Sequence, residues 1–207
     1  MSTGDGDLGM IIETLVSSLN EVGTTNLAPM GPLFIGDWSR FELRPFHTSQ
    51  TYSNLKRTRE GILHITDDVE LMARAAIDRL VEMPAMERGK LVAVSAVANA
   101  CRWYEFRVDS VTELLPRVSM QCRTIYEHRQ RDFLGFNRAK HAVLEAAILA
   151  TRLDFVPQQE VFDQFRHFET IVQKTGGEQE FAAFQMLQQF VLQSVRSITT
   201  KNSETFS

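Results

Sequence analysis

Two periodicities divide this chain. Up to about residue 132, apolar and polar positions mostly alternate in short runs, the pattern of half-buried strands. From Gly135 onward apolar residues recur every three or four positions, the spacing of a helix face. Residues 10–19 (MIIETLVSSL) predict a first strand, the Asn- and Gly-rich stretch 20–26 a turn, and residues 26–36 (NLAPMGPLFIG) a returning strand, together a hairpin. Pro29 and Pro32 cannot donate to a ladder, so the returning strand must be an edge or carry a bulge.

The next stretch, 41–65, reads as strand, polar loop, short helix and strand. Phe41, Leu43 and Pro45 alternate with Glu42, Arg44 and Phe46. Thr48, Ser49 and Thr51 supply hydroxyls where the helix begins, and Gly61 is read as its end, with Ile62 and Ile65 opening the following strand. Asp67 and Asp68 cap a helix over 69–82. A loop between Pro84 and Gly89 leads to strands at 91–97 and 101–111, and RVSMQCRTIYEHR (117–129) alternates Val118, Met120, Cys122, Thr124 and Tyr126 on one face. About seven strands in hairpin order, with helices inserted, predict a closed antiparallel barrel within a mainly β (α+β) fold.

Beyond Gly135 three helices are predicted. Asn137 caps the first, Pro157 opens the second and Gly176–Gly177 ends it. Phe162, Phe165 and Phe168, then Phe181, Phe184, Leu187, Val191 and Val195, mark buried stripes rather than a cofactor box. The organisation is a disordered start (1–9), a barrel (10–132), a helical region (133–198) and a flexible tail (199–207).

Charge and composition narrow the function. A net charge of −4 gives no footprint for nucleic acid, and no apolar run approaches a membrane span. The N-terminus lacks the pattern of a signal peptide. Cys101 and Cys122 are too few and too separated for a zinc site or a disulfide framework, which leaves reduced thiols and the cytoplasm as the simplest compartment. The five histidines show no metal-ligand spacing, and no catalytic motif or acid–base pair stands out, so an enzyme built on these residues needs a cofactor to carry its chemistry.

Three stretches are candidate binding sites. Arg44 with Thr48, Ser49, Thr51, Tyr52 and Asn54 surrounds a helix N-terminus, whose free amides and dipole suit a phosphate. The same pattern is met more often in a plain N-cap beside a surface arginine. Asn26, Pro29, Met30 and Gly31 form the second stretch, where a kinked strand frees backbone groups; a simple structural kink is the other reading. Asn137, Arg138 and Lys140 are the third. Two cations in the first turn of a helix oppose its dipole, which asks for a compensating anion from a side chain or a ligand; two exposed charges tolerated at small cost are the other reading.

The segments MIIETLVSSLNEVGTTNLAPMGP, LRPFHTSQTYSNLKRT, ITDDV and GFNRAKHAVLEAAILATRL together resemble an uncharacterised family of archaeal and bacterial proteins. That family has the split-barrel fold of the flavin reductase and pyridoxamine-phosphate oxidase superfamily, followed by a small helical region. The resemblance implies FMN bound in a homodimer with the flavin at the subunit interface. It implies a phosphate held along Arg44–Asn54, which shifts the reading of that stretch to the anion site. It places the isoalloxazine ring beside Asn26, Pro29, Met30 and Gly31, and it leaves the contacts of Asn137 and Arg138 open. Thr24–Thr25 stand where a glycine–proline pair is expected in relatives, and His64 where many split barrels carry asparagine. An FMN-dependent oxidoreductase is the first functional expectation. A non-enzymatic flavin module is the second, and a barrel for deazaflavin, pterin or haem the third, with His47 or His64 as the haem's axial ligand.

Overall fold

This computed structural model describes residues 9–34 and 36–204, apart from the side chains of Leu114 and 196–204. Residues 1–8 of the expected disordered start and 205–207 of the expected tail lie outside them. The chain forms two compact units, residues 1–66 with 82–133 and residues 67–81 with 134–207. Residues 67–81, grouped above with the barrel, thus belong to the helical unit.

In the first unit, strands β1 (Met10–Ile11), β2 (Thr14–Leu19), β3 (Thr25–Met30), β4 (Leu33–Phe34) and β5 (Arg40–Leu43) precede helix α1 (Gln50–Thr58) and strand β6 (Glu60–Ile65). A small hairpin, β7 (Met86–Arg88) and β8 (Ser95–Val97), is followed by two long strands, β9 (Arg102–Leu114) and β10 (Arg117–Arg129). The main sheet is antiparallel, in the order β1-β4-β5-β10-β9-β6-β2-β3.

The pairs Met10↔Phe34, Ile11↔Leu33 and Thr14↔Met30 share one register, and the Ile12 amide donates to the Pro32 carbonyl between them. β1–β2 and β3–β4 are therefore the two halves of a single long hairpin. One end of that hairpin pairs with β6 through β2, the other with β5 through β4, and the sheet curls round as a barrel in which β1 and β3 remain edges. The register passes Pro29 and Pro32 unbroken. Of the two outcomes open to the prolines, an edge or a bulge, β3 takes the edge: it is the last strand of its sheet, paired to β2 alone.

Alternation sorts the side chains. Val16, Phe41, Leu43, Leu63, Tyr104, Phe106, Val118, Met120 and Cys122 form one core with Tyr52 and Leu55 of α1. On the other face Ile62 and Trp103 pack against Val92, Val94 and Ala96. The 90–92 turn is fastened there by Glu105, fully buried, which accepts the amides of Lys90, Leu91 and Val92 at 2.5, 2.6 and 3.0 Å.

Several local expectations change. The residue closing α1 is Arg59, in the left-handed conformation at φ 60°, with its amide on the Leu55 carbonyl. Gly61 instead lies inside β6, where a Cβ would come 2.5 Å from Cζ of Phe106. The helix expected over 69–82 stops at Ala76, and the strand at 91–97 shortens to Ser95–Val97. In β10 the predicted face holds through Cys122, but register shifts at Gln121/Cys122 and Thr124/Tyr126 break the alternation, leaving Thr124 and Tyr126 half-buried.

The second unit contains α2 (Val69–Ala76), α3 (Arg138–Ala150), α4 (Gln158–Thr175) and α5 (Glu178–Glu204). Asp68 caps α2, accepting from the Leu71 amide at 2.9 Å, and Asn137 caps α3 as expected. Alanines 139, 142, 146 and 147 let α3 approach its neighbours closely, against Val161, Phe165, Phe184 and Leu187. The backbone of α5 is helical through Glu204, into the stretch read as a tail.

Candidate functional site

The first turn of α1 is seated on the β2–β3 hairpin by amides and hydroxyls. Ser49 is its N-cap: Oγ accepts from the Tyr52 amide at 3.1 Å and donates to the Phe46 carbonyl at 2.8 Å. The amides of Gln50 and Thr51 come too early in the helix to have an intrahelical acceptor. Asn26 Nδ2 donates to Thr51 Oγ1 at 3.1 Å and to Ser18 Oγ at 3.4 Å. Asn54 Nδ2 donates to Ser18 Oγ at 3.0 Å and to Asn20 Oδ1 at 2.8 Å, while its Oδ1 accepts from Gln50 Nε2 at 2.9 Å. Two of the stretches singled out in the sequence, around Asn26 and around Thr51, thus meet in one place.

The predicted residues differ in what they leave free. Thr48 is exposed beside the helix start. Arg44 is also exposed, but its Nη2 donates to Glu42 Oε2 at 2.7 Å. That guanidinium lowers the Glu42 carboxyl, and Glu42 in turn raises the Arg44 pKa. Tyr52 is buried, with its hydroxyl donating to Glu113 Oε1 at 2.7 Å and accepting from Lys56 Nζ at 2.9 Å. Glu113 raises the Lys56 pKa, and Lys56 lowers that of Glu113. Pro29 and Met30 sit on the β3 edge, with the Met30 carbonyl accepting from Thr14 Oγ1 at 2.7 Å. At Gly31 a Cβ would lie 2.9 Å from Cγ2 of Ile11, so the glycine permits a close approach within the hairpin itself.

Sequence reasoning missed Arg117. Its guanidinium lies 3.9 Å from the Phe46 ring centroid and donates to the Arg44 carbonyl at 3.0 Å. The β9–β10 turn therefore brings a second cation to the loop that precedes α1, from 73 residues away. It also missed Ser18, Asn20 and Gln50. The adjacent serines Ser17 and Ser18 in an apolar strand were the one signal available.

The third predicted stretch belongs to the helical unit. Asn137 Oδ1 accepts from the Lys140 amide and its Nδ2 donates to the Thr175 carbonyl, both at 3.1 Å. Arg138 is exposed. The anion that compensates Lys140 is a side chain: Nζ donates to Glu180 Oε1 at 2.7 Å, to Gln179 at 3.0 Å and to the Asp67 carbonyl at 2.8 Å. Burial works to raise the Glu180 carboxyl, but Lys140 and the Gly177 amide outweigh it and hold it low. A groove of about 590 Å³ between α4 and α5 is lined by Phe162, Phe165 and several glutamines.

His64 does not serve as a haem ligand. It is fully buried, Nε2 accepts the Val97 amide at 3.1 Å, and Nδ1 faces the Leu15 carbonyl at 3.1 Å. Both ring nitrogens are occupied, and burial pushes its pKa down to about 4 against the raising effect of the Leu15 carbonyl. Among the described residues no cluster of acidic, His or Cys side chains could hold a metal, and no helix is long and apolar enough to cross a membrane.

Two family models cover most of the chain. The N-terminal domain of a protein family of unknown function, DUF447, matches residues 12–131, and the second DUF447 domain matches residues 137–189. The chain belongs to the DUF447 family. An FMN-bound DUF447 protein from Methanosarcina mazei is similar in structure, with a TM-score of 0.76 and 22% identity over 89% of this chain and 97% of that one. This similarity establishes the split-barrel fold for this DUF447 protein. Two others are more distant. A 2-nitrobenzoate 2-nitroreductase from Pseudomonas fluorescens gives a TM-score of 0.49 at 15% identity, covering 61% of this chain and 66% of that one. A styrene monooxygenase flavin reductase from Pseudomonas putida gives 0.47 at 13%, covering 56% and 77%. No curated protein matches this chain.

Proposed function

We propose that this DUF447 protein binds FMN, with the phosphate at the start of α1 and the ring along the open edge of β3, and acts as an oxidoreductase. The observation that carries the proposal is the meeting of two halves of one site. The amides of Gln50 and Thr51, placed too early in the helix for an intrahelical acceptor, suit a phosphate dianion, and Asn26 links the same turn to the edge strand. The M. mazei protein of the same family, alike in fold, is FMN-bound.

Thr48, with its exposed hydroxyl, Arg44 and Arg117 are the side chains that would complete the phosphate site. Ser49 contributes as the cap that shapes the turn, and Tyr52 as the anchor of α1 to Glu113. Pro29, Met30 and Gly31 would border the ring, and Asn26 would face both halves. A bound flavin supplies hydride or electron transfer, and the chain supplies orientation, exclusion of water and the electrostatics around the ring. Of the two histidines expected as haem ligands, His64 has no free nitrogen, and His47 is exposed with its ring 4.8 Å from that of Tyr52. Asn137 and Arg138 have no role in this proposal beyond the capping of α3 by Asn137.

A homodimer belongs to the same reading. Met10 and Ile11 of β1 are each 58% exposed and offer an apolar strip to a second copy. Cys101 and Cys122, both buried thiols, accord with a reducing cytoplasmic setting. An absorbance titration of the purified protein with FMN tests the proposal, with Thr51→Ala and Arg44→Ala beside it. Flavin bands that weaken in both variants support it, and a protein that ignores FMN removes it. Oxidation of NADH or NADPH by the loaded protein separates an enzyme from a flavin carrier, and the molar mass in solution tests the dimer.

A further inference from the structure

We infer that Asn54 is a positioning residue that makes this site prefer a phosphorylated flavin over an unphosphorylated one. The inference rests on the proposed placement of the phosphate at α1. Asn54 sits among the flavin-contact candidates in the sequence, but its side chain cannot serve as one. It is 1% exposed, its amide nitrogen donates to Ser18 and Asn20, and its oxygen accepts from Gln50.

What Asn54 does hold is the first turn of α1. Asn54 and Thr51 stand one turn apart on the same helix face. Asn54 donates to Ser18, Asn26 donates to both Ser18 and Thr51, and these three bonds, closed through the backbone of α1, form a ring between helix and hairpin. Ser18 is fully buried, Thr51 is 3% exposed and Asn26 is half-buried, so the Asn54–Ser18 bond forms out of water, where losing it leaves a buried polar group unmatched. The outer arms of the network reach Gln50, the first residue of the helix, and through Asn20 the hairpin turn, where Asn20 Nδ2 donates to Thr24 Oγ1 at 3.0 Å.

A nine-residue helix such as α1 has little intrinsic stability, and its first turn frays unless held from outside. Anion binding at a helix start depends on amides fixed in direction, and the attraction is confined to that first turn. The ring therefore pre-aims the Gln50 and Thr51 amides. The backbone of β3, and with it Pro29 and Met30, does not depend on that ring, because β3 is held by its ladder with β2.

The test measures affinity for two ligands that differ only in the phosphate. The full chain, Asn54→Ala and Ser18→Ala are each titrated with FMN and with riboflavin by flavin fluorescence, and folding is followed by circular dichroism. In both variants the Kd for FMN rises about tenfold while that for riboflavin changes less than about twofold. Equal proportional losses for both ligands, or no loss for either, would overturn the inference and leave Asn54 as a structural residue. Ser18→Ala removes the acceptor shared by Asn54 and Asn26 from the β2 side and keeps the test decisive if Asn54→Ala does not fold. A wild-type protein that binds both ligands equally would overturn the phosphate placement as well. Equal losses in variants of a protein that does prefer FMN would overturn only the role of Asn54.

Discussion

The Val97 amide donates to Nε2 of His64 across 3.1 Å, and that bond sets the protonation state of a fully buried imidazole. A backbone N–H can only donate, so Nε2 is the acceptor and the proton resides on Nδ1, facing the Leu15 carbonyl 3.1 Å away. One side chain thereby ties β2, β6 and β8 together in its neutral form.

Stability should consequently depend on pH through His64. Burial lowers its folded pKa to about 4, against about 6.5 in an unfolded chain. The unfolded state binds the proton first as pH falls, so the contribution is complete above the unfolded pKa and is lost on descending toward the folded one. The loss amounts to about 3 kcal/mol across that window. Urea denaturation of wild type and His64→Asn between pH 4 and 7 checks it, and equal slopes for both proteins would refute it.

Glu105 should be as sensitive as any residue of the barrel. Its carboxylate satisfies three consecutive amides from a turn with no ladder of its own there. Glu105→Ala leaves those donors unmatched at a cost of roughly 3 kcal/mol. Hydrogen exchange at Lys90, Leu91 and Val92 should quicken in the variant while the β2–β3 ladder keeps its protection.

Two neighbouring backbone positions should respond with opposite signs. Gly61→Ala places a methyl 2.5 Å from Cζ of Phe106, itself fully buried, and overpacking of this kind destabilises by roughly 1–3 kcal/mol. Arg59→Gly removes the strain of a left-handed arginine at φ 60° and should stabilise by about 0.5–1 kcal/mol. Thermal denaturation of the two variants separates the effects.

In the helical unit, Lys140→Met should cost roughly 3 kcal/mol, because it leaves Glu180, with a side chain only 8% exposed, without its cation. The double variant Lys140→Met, Glu180→Met should recover much of that loss. A double variant no more stable than the single one would contradict the buried-pair account.

Strands and caps were legible where local chemistry decides them. Asn137 caps its helix as read, and Ser49 and Asp68 are the caps among the neighbouring residues offered for the other two, since capping depends on residues three positions apart. The full length of β10 was legible because its ends carry turn residues, although the shift at Thr124/Tyr126 was not: a bulge depends on the partner strand. Gly61 misled for a similar reason. A glycine after a helix resembles a stop signal, and only the packing of Phe106 shows that it is there to leave space.

The candidate site divides along the same line. By itself the sequence determined a barrel followed by helices, a hydroxyl-rich helix start and a strand that Pro29 confines to an edge or a bulge. These follow from periodicity, from capping and from the missing proline N–H. Tertiary structure decided which of those groups still have something to offer a ligand. Glu42 takes one face of Arg44, Glu113 takes the Tyr52 hydroxyl, and Asn54 is used up within the protein. Arg117 arrives from a distant turn. The Glu42–Arg44 pair is local, two residues apart, but the others are contacts between residues far apart in the chain. A hydrogen-bonding group shows from the sequence alone that it needs a partner, and only the fold shows whether the protein has already provided one.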